Sequence, residues 1–381
     1  MNRTSTARAL ACLLFAATPL ALSAQDERLT VHGSVNIAYG KTDGLPYFGL
    51  NKDGSADYRA IALQFGYKLS EKDRVVTQLL HRKFGTSPLN AGEPDIQPVW
   101  AFYEHKFDNG TAVKVGRNPL PRGLFNEVRF IGTLLPFYRV GTQVYGETLE
   151  YIDGFTASKS FELGGDFGLE SHVFGGGFNL RAQLPGSTGN IVINQRNENM
   201  IGTQLWLKTP VEGVRFGAFV SNYGSTPSAT LPEASRPART TSVLYSAEAK
   251  VDRAFARAEY TRFTAKVPSF TDYSAYYLQG GVKPVEKLTL AVEYNSATNV
   301  VRFGGAPIPN LDLPITKDIG LGATWQPSVN VAFKLEGHRN EGYGFDRPVP
   351  SVILPTAPPL VAKLAPASKA FYGLLSVAVA F

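Results

Sequence analysis

Ala370–Phe381 reads AFYGLLSVAVAF and closes the sequence. In an extended chain Phe371, Gly373, Leu375, Val377, Val379 and Phe381 share one face, and Tyr372, Leu374, Ser376, Ala378 and Ala380 share the other. Period-two patterning of this kind means a strand. The rest of the chain has to say what kind of sheet the strand belongs to.

The opposite end reads as an export signal. Arg3 and Arg8 form a basic n-region, Ala9–Ala21 (ALACLLFAATPLA) an apolar h-region, and small residues place cleavage after Ser23 or Ala24. The expected division is therefore a signal peptide over 1–24 and one β-barrel unit over 25–381. The apolar run is shorter than the roughly 20 residues that span a bilayer as a helix. Cys12, the single cysteine, falls inside it. The mature chain then has no disulfide, thiolate nucleophile or cysteine metal site. Removing Arg3 and Arg8 takes the formal charge from +6 to +4, with no clustered basic tract, so nucleic acid is not an expected partner. No later stretch is long and apolar enough for a transmembrane helix. Mean hydropathy is −0.09, as expected of strands that alternate between lipid and water.

Between the ends runs a procession of strand-length segments, about sixteen in all. Leu29–Tyr39 sets Val31, Val35 and Ile37 against His32, Ser34 and Asn36. Asn330–His338 sets Val331, Phe333 and Leu335 against Lys334, Glu336 and His338. Lys287–Asn295 alternates in the same way. Asp73–Phe107 alternates poorly, with Leu80, Trp100, Phe102 and Tyr103 on both faces; a subunit interface or a shifted register would explain it. Connections alternate between a few residues, such as Asp108-Asn109-Gly110, and long excursions. Short turns on one rim and long loops on the other mark a transmembrane antiparallel β-barrel, and an even count puts both ends on the short-turn rim. A soluble sandwich has the same alternation with its apolar side inward, but neither the export signal nor the loop asymmetry belongs to it.

The longest interruption is Arg117–Tyr151, beginning RNPLPRGLFNEVRFIGTLLPFYRV, which carries arginines and prolines and does not alternate. Loops of this length inside compact proteins are usually functional. About sixteen strands, a longest early connection that is the third long one, a Gly116-Arg117 start to that loop and a terminal Phe381 together resemble a Gram-negative outer-membrane porin over essentially the whole mature chain. The resemblance implies an outer-membrane homotrimer in contact with the lipid bilayer and lipopolysaccharide, with the third loop (117–151) bent into the lumen as a constriction. It departs from the general pattern in two places. The loop is rich in arginine, and the last long loop (340–370) is apolar and rich in proline.

Charged rings at the narrow point set selectivity in such pores. The expected constriction residues are Arg117, Arg122, Glu127, Arg129 and Arg139, with Glu147 and Glu150 as further counter-charges. The expected pore wall includes Lys114, Arg215, Lys334 and Glu336. Phe125, Phe130, Phe137 and Tyr138 either pack the loop onto the wall or line a slide for solutes. This set implies passive diffusion of small hydrophilic solutes with a bias towards anions. The competing reading is a closed structural or adhesive barrel that binds partners through its loops. Enzymatic readings find no support: the five histidines (His32, His81, His105, His172, His338) are scattered singly as wall or rim residues, and neither a GxSxG elbow nor a P-loop is present. No catalytic residue, metal ligand or cofactor site is expected.

Overall fold

The computed structural model describes residues 28–87, 90, 95–139, 141–146, 149–186, 189–227, 238–265, 272–301, 311–346 and 366–381. The expected signal segment 1–24 with Cys12, Glu147, and 347–365 of the last long loop lie outside the described residues.

Every expected strand is present. The first five are β1 (Leu29–Thr42), β2 (Ser55–Lys68), β3 (Asp73–Phe84), β4 (Gln97–Lys106) and β5 (Ala112–Pro119). After the long loop come β6 (Tyr151–Gly164), β7 (Phe167–Gly186), β8 (Gly189–Lys208), β9 (Val214–Pro227), β10 (Ala238–Val251) and β11 (Ala254–Ala265). The last five are β12 (Asp272–Val285), β13 (Leu288–Val301), β14 (Leu311–Ser328), β15 (Val331–Gly342) and β16 (Ser368–Ala380). Each strand pairs antiparallel with the next, and β16 returns to β1, so the sheet is a closed sixteen-stranded barrel. Closure satisfies the backbone ladder of every strand, the condition a bilayer imposes on a spanning sheet. At the seam Gly33 and Phe381 exchange backbone hydrogen bonds of 2.9 and 3.0 Å, and the Phe381 ring lies over Gly33 where a Cβ would stand.

Alternation along the strands turns the barrel inside out relative to a water-soluble fold. On β13–β15 Leu290, Val292, Leu321 and Leu335 point outward and are exposed, Leu321 by 65% and Leu335 by 63%. Their neighbours Glu293, Asn295, Lys334 and Glu336 point inward and are buried. The polar face is therefore the internal one, as expected of a membrane barrel. The hairpin β7–β8 is the tallest of the described barrel, its strands having 20 residues each.

The irregular stretch 73–107 has a local cause. The β3–β4 register slips between Gln78 and Leu79, so that Gln78 faces Trp100 and Leu79 faces Pro98. This bulge at Val99 reverses the phase of β4 and turns Val99 and Phe102 inward together. Inside the barrel Leu80, Val99 and Ala62 form an apolar cluster with Phe130 of the long loop. Shifted register is thus part of the answer, and an apolar lumen wall packed against the loop is the rest.

Candidate functional site: the waist of the barrel

The long loop leaves the wall where β5 stops short, after eight residues. Gly116 has φ +123°, and a Cβ there would stand 2.4 Å from the Ala101 carbonyl oxygen, so the strand requires glycine just before the departure. Asn126 ties the two roots of the loop together: its Nδ2 donates to Leu120 O at 2.9 Å and to Leu149 O at 2.8 Å. A 3-10 turn (Gly132–Leu134) and a four-residue helix, α1 (Thr142–Tyr145), are its regular parts.

From this root the loop crosses the lumen and is held on the far side. Ser34 donates to Phe130 O at 3.0 Å and Thr324 to Pro136 O at 2.9 Å. Lys334 Nζ donates to Phe137 O at 2.9 Å, and Tyr138 N–H donates to the Glu336 carboxylate at 3.0 Å. Gly123 N–H donates to Gln204 Oε1 at 3.0 Å, and Leu124 N–H to Glu259 Oε1 at 2.9 Å. Lys334 and Glu336 face the lumen, and there they grip the loop. Phe125, Phe130, Phe137 and Tyr138 are all buried, so they pack the loop onto the wall.

The loop divides the interior. On the short-turn side lies a cavity of about 440 Å³, lined by His32, Arg74, Lys114 and Glu127 among others. On the long-loop side lies one of about 260 Å³, lined by aromatic side chains together with Gln143, Gln195 and Asn197 among others. Between them are two cavities of only about 40 and 30 Å³. Arg129 lines the first and Arg139 lines both. Arg139 lies against the rings of Phe84 and Phe48, 4.0 and 4.6 Å from their centroids. Arg129 donates to Gly146 O and stands 3.7 Å from Glu150, which also pairs with Arg82 from the wall. The opposite wall of the smaller cavity carries Glu293 (β13), Asp318 (β14) and Glu336 (β15). Each acid is already engaged: Glu293 by the side-chain amides of Gln279 and Asn295 at 2.6 Å, Asp318 by His338 at 2.8 Å, and Glu336 by Tyr138 N–H.

Two of the expected constriction arginines are elsewhere. Arg117 shares the outward parity of Val115 on β5. It makes a two-pronged pair with Asp153 (2.7 and 2.9 Å), and its Nη1 donates to Pro98 O on the outside of the barrel. The irregular sequence after Gly116 had hidden that β5 continues to Pro119. Arg122 is buried within the loop packing, 1% exposed, donating to Thr261 at 2.9 Å amid the rings of Tyr145, Phe219 and Phe263. Burial pulls its pKa below the ordinary arginine value, opposed by Tyr145 and Glu259. Arg215 faces inward near the short-turn end, paired with Glu248 at 2.9 Å and covering Trp206. Lys114 lies over Phe102. Of the histidines, His81 faces outward beside Arg59 rather than into the pore.

The first long loop was not anticipated as part of the site. Phe48 has φ +47° and Gly49 φ +80°, and the turn Tyr47–Leu50 tucks over Arg139. Gly49 N–H donates to Asp346 at 2.5 Å, fastening this loop to the start of the last one. Nothing in residues 43–54 alternates or carries a charge cluster, so the sequence held little signal for it.

A closed sixteen-stranded barrel with an apolar exterior, a polar interior and a third loop across its lumen is a known architecture. It is the porin fold. No protein-family model matches the chain, and no curated protein matches it in sequence. Solved structures match it along almost its whole length. The outer-membrane channel DcaP of Acinetobacter baumannii is 12% identical, with 93% of this chain and 97% of that one covered and a TM-score of 0.59. An anion-selective porin from Comamonas acidovorans is 14% identical over 93% and 99%, TM-score 0.53. The trimer form of OmpT, an outer-membrane protein of Vibrio cholerae, is 11% identical over 93% and 99%, TM-score 0.52.

Proposed function

We propose that the protein is an outer-membrane channel through which small hydrophilic solutes diffuse passively, with a preference for anions. The observation that carries this reading is the waist: a polar lumen narrowed by a loop whose Arg129 and Arg139 line the narrowest space. The facing acids are held at the wall by His338, Tyr138 N–H and side-chain amides and offset part of the arginine field, so the preference expected is modest. Residues 1–24 direct export and the apolar exterior sits in the outer membrane, against lipopolysaccharide on its outer leaflet.

The porin assembles as a homotrimer, and the Arg117–Asp153 pair points to the contact face. Arg117 lies seven residues past Gly110 of the turn, about 16 Å up a tilted strand and so near the middle of an apolar band roughly 25 Å tall. A half-exposed ion pair at that depth is costly against lipid. Further outward polar side chains, Asp57, Arg59 and Lys83, lie on β2 and β3 towards the long-loop rim. A neighbouring subunit over β2–β6 removes the cost.

The competing reading is a barrel shut at the waist, where about 40 Å³ holds about three waters. Planar-bilayer recording of the purified protein separates the two. Stepwise openings with a chloride-favouring reversal potential in a KCl gradient support the channel. Potassium preference overturns the anion bias alone, and silence from folded protein supports the closed barrel.

A further inference from the structure

We propose that the 260 Å³ cavity above the constriction loop is a binding site for a small cyclic carboxylate, a flat apolar ring bearing one acidic group. The proposal rests on the channel reading and gives that pore a preferred solute.

Three observations meet there. The first is shape and lining: the cavity is walled by the rings of Tyr145, Phe178, Tyr223, Phe263 and Tyr273. These rings suit a flat apolar body, because aromatic faces and edges pack against such a surface over a large area. The second is Asn197, which lines the same cavity, is 1% exposed, and has a side-chain Nδ2 without a hydrogen-bond partner among the described residues. Its Oδ1 already accepts from Gln195 and Ser225, each at 2.7 Å, which fixes the amide orientation and leaves the N–H₂ as the unbonded edge. A buried amide donor left unmade costs free energy that an incoming acceptor recovers.

The third is charge. Among the described residues the lining carries no Asp, Glu, Lys or Arg. Behind its wall stands Arg122, whose guanidinium carbon is 5.7 Å from the Tyr145 ring centre and 5.5 Å from that of Phe263. Its Nε and Nη1 have no hydrogen-bond partner among the described residues. Glu259 balances part of that charge, but its oxygens are engaged by Leu124 N–H, Ser246, Tyr145 and Tyr277. A carboxylate accepting from Asn197 is separated by the ring wall from an incompletely bonded cation in a region of low dielectric, where attraction is weakly screened. A neutral ring compound gains the stacking without this attraction, and a small acyclic acid gains the attraction without the stacking.

The test uses the full-length protein in detergent and in planar bilayers, with benzoate, benzyl alcohol and acetate as probes. Calorimetry on the detergent-solubilised protein is expected to show benzoate binding at least tenfold more tightly than either of the others. In bilayers benzoate is expected to shorten openings when added on the long-loop side. Asn197→Asp keeps the size of the side chain, places a like charge in the site, and is expected to weaken benzoate at least tenfold. Tyr223→Ala, which removes one wall, provides a second variant should Asn197→Asp not fold. Equal binding of the three probes, or benzoate binding indifferent to both variants, overturns the proposal. Because calorimetry needs no current, a silent channel that still binds benzoate sinks the channel reading and leaves the site standing; a conducting channel with no benzoate binding does the reverse.

Discussion

Lys334→Met tests whether the far wall holds the loop in place. Lys334 is buried and its Nζ donates to Phe137 O at 2.9 Å, while two residues along β15 Glu336 accepts from Tyr138 N–H. Methionine keeps the length of the side chain and removes the donor. A hydrogen bond from a charged group contributes about 1.5–3 kcal/mol, and the orphaned carbonyl adds to the loss. At about 1.4 kcal/mol per factor of ten, the population of loop-displaced states rises on the order of 10- to 100-fold. The barrel ladder is untouched, so the melting temperature of the sheet is expected to change little. Single-channel recording reads the effect as more frequent transitions to a larger conductance. Glu336→Gln, which keeps an acceptor for Tyr138, is expected to show a smaller rise. If folded Lys334→Met gates and conducts like the parent, the loop is not held at this contact and the account of the waist is wrong.

Replacing Arg129 and Arg139 by alanine should move the reversal potential in a KCl gradient towards cations; an unchanged ion preference excludes them as the selectivity residues. If the proposed subunit contact covers this face, Asp153→Ala leaves Arg117 without its carboxylate there, a change of about 3–5 kcal/mol, so oligomers should dissociate at lower temperature on semi-native gels while monomer folding persists. Gly116→Val forces a side chain into φ +123° against the Ala101 carbonyl and should destabilise the fold by about 1–3 kcal/mol, read as a lower urea midpoint. Burial raises the Asp346 carboxyl above the ordinary aspartate pKa. Its contribution to docking the first loop is therefore full below the unfolded value and is lost as pH rises through the raised one. Closures of the mouth should be more frequent at acid pH, and Asp346→Asn should remove that dependence from the current record.

The strands were legible because lipid on one side and water on the other impose a period of two that local sequence cannot evade. Leu288–Asn295 and Val331–His338 show it without interruption. Legibility failed where a third environment intervened. At Val99 and Phe102 the lumen wall is apolar because Phe130 of the loop packs there, and one bulge reverses the phase. The loop could be located by its break in alternation, but the roles of its arginines could not. Arg117 differs from Arg129 only in lying on the last turn-free stretch of β5, which sends it outward. The engaged acids Glu293 and Asp318 and the wall residue Arg82 sit on regular strands, where the period assigns a face but says nothing of what the loop brings opposite. Only the folded arrangement makes partners of residues more than a hundred positions apart.

Because the third loop is bonded to β1, β8, β11, β14 and β15 as well as to its own roots, it acts on the barrel as a crossbar acts on a hoop. An empty cylinder of hydrogen-bonded strands flattens easily under lateral load, since shear between neighbours meets little resistance. A member spanning the ring converts flattening into stretching of short polar contacts, which is stiff. The cross-section at the waist should therefore hold its outline as bilayer tension changes, and cutting the loop would soften the ring before it unfolded a single strand.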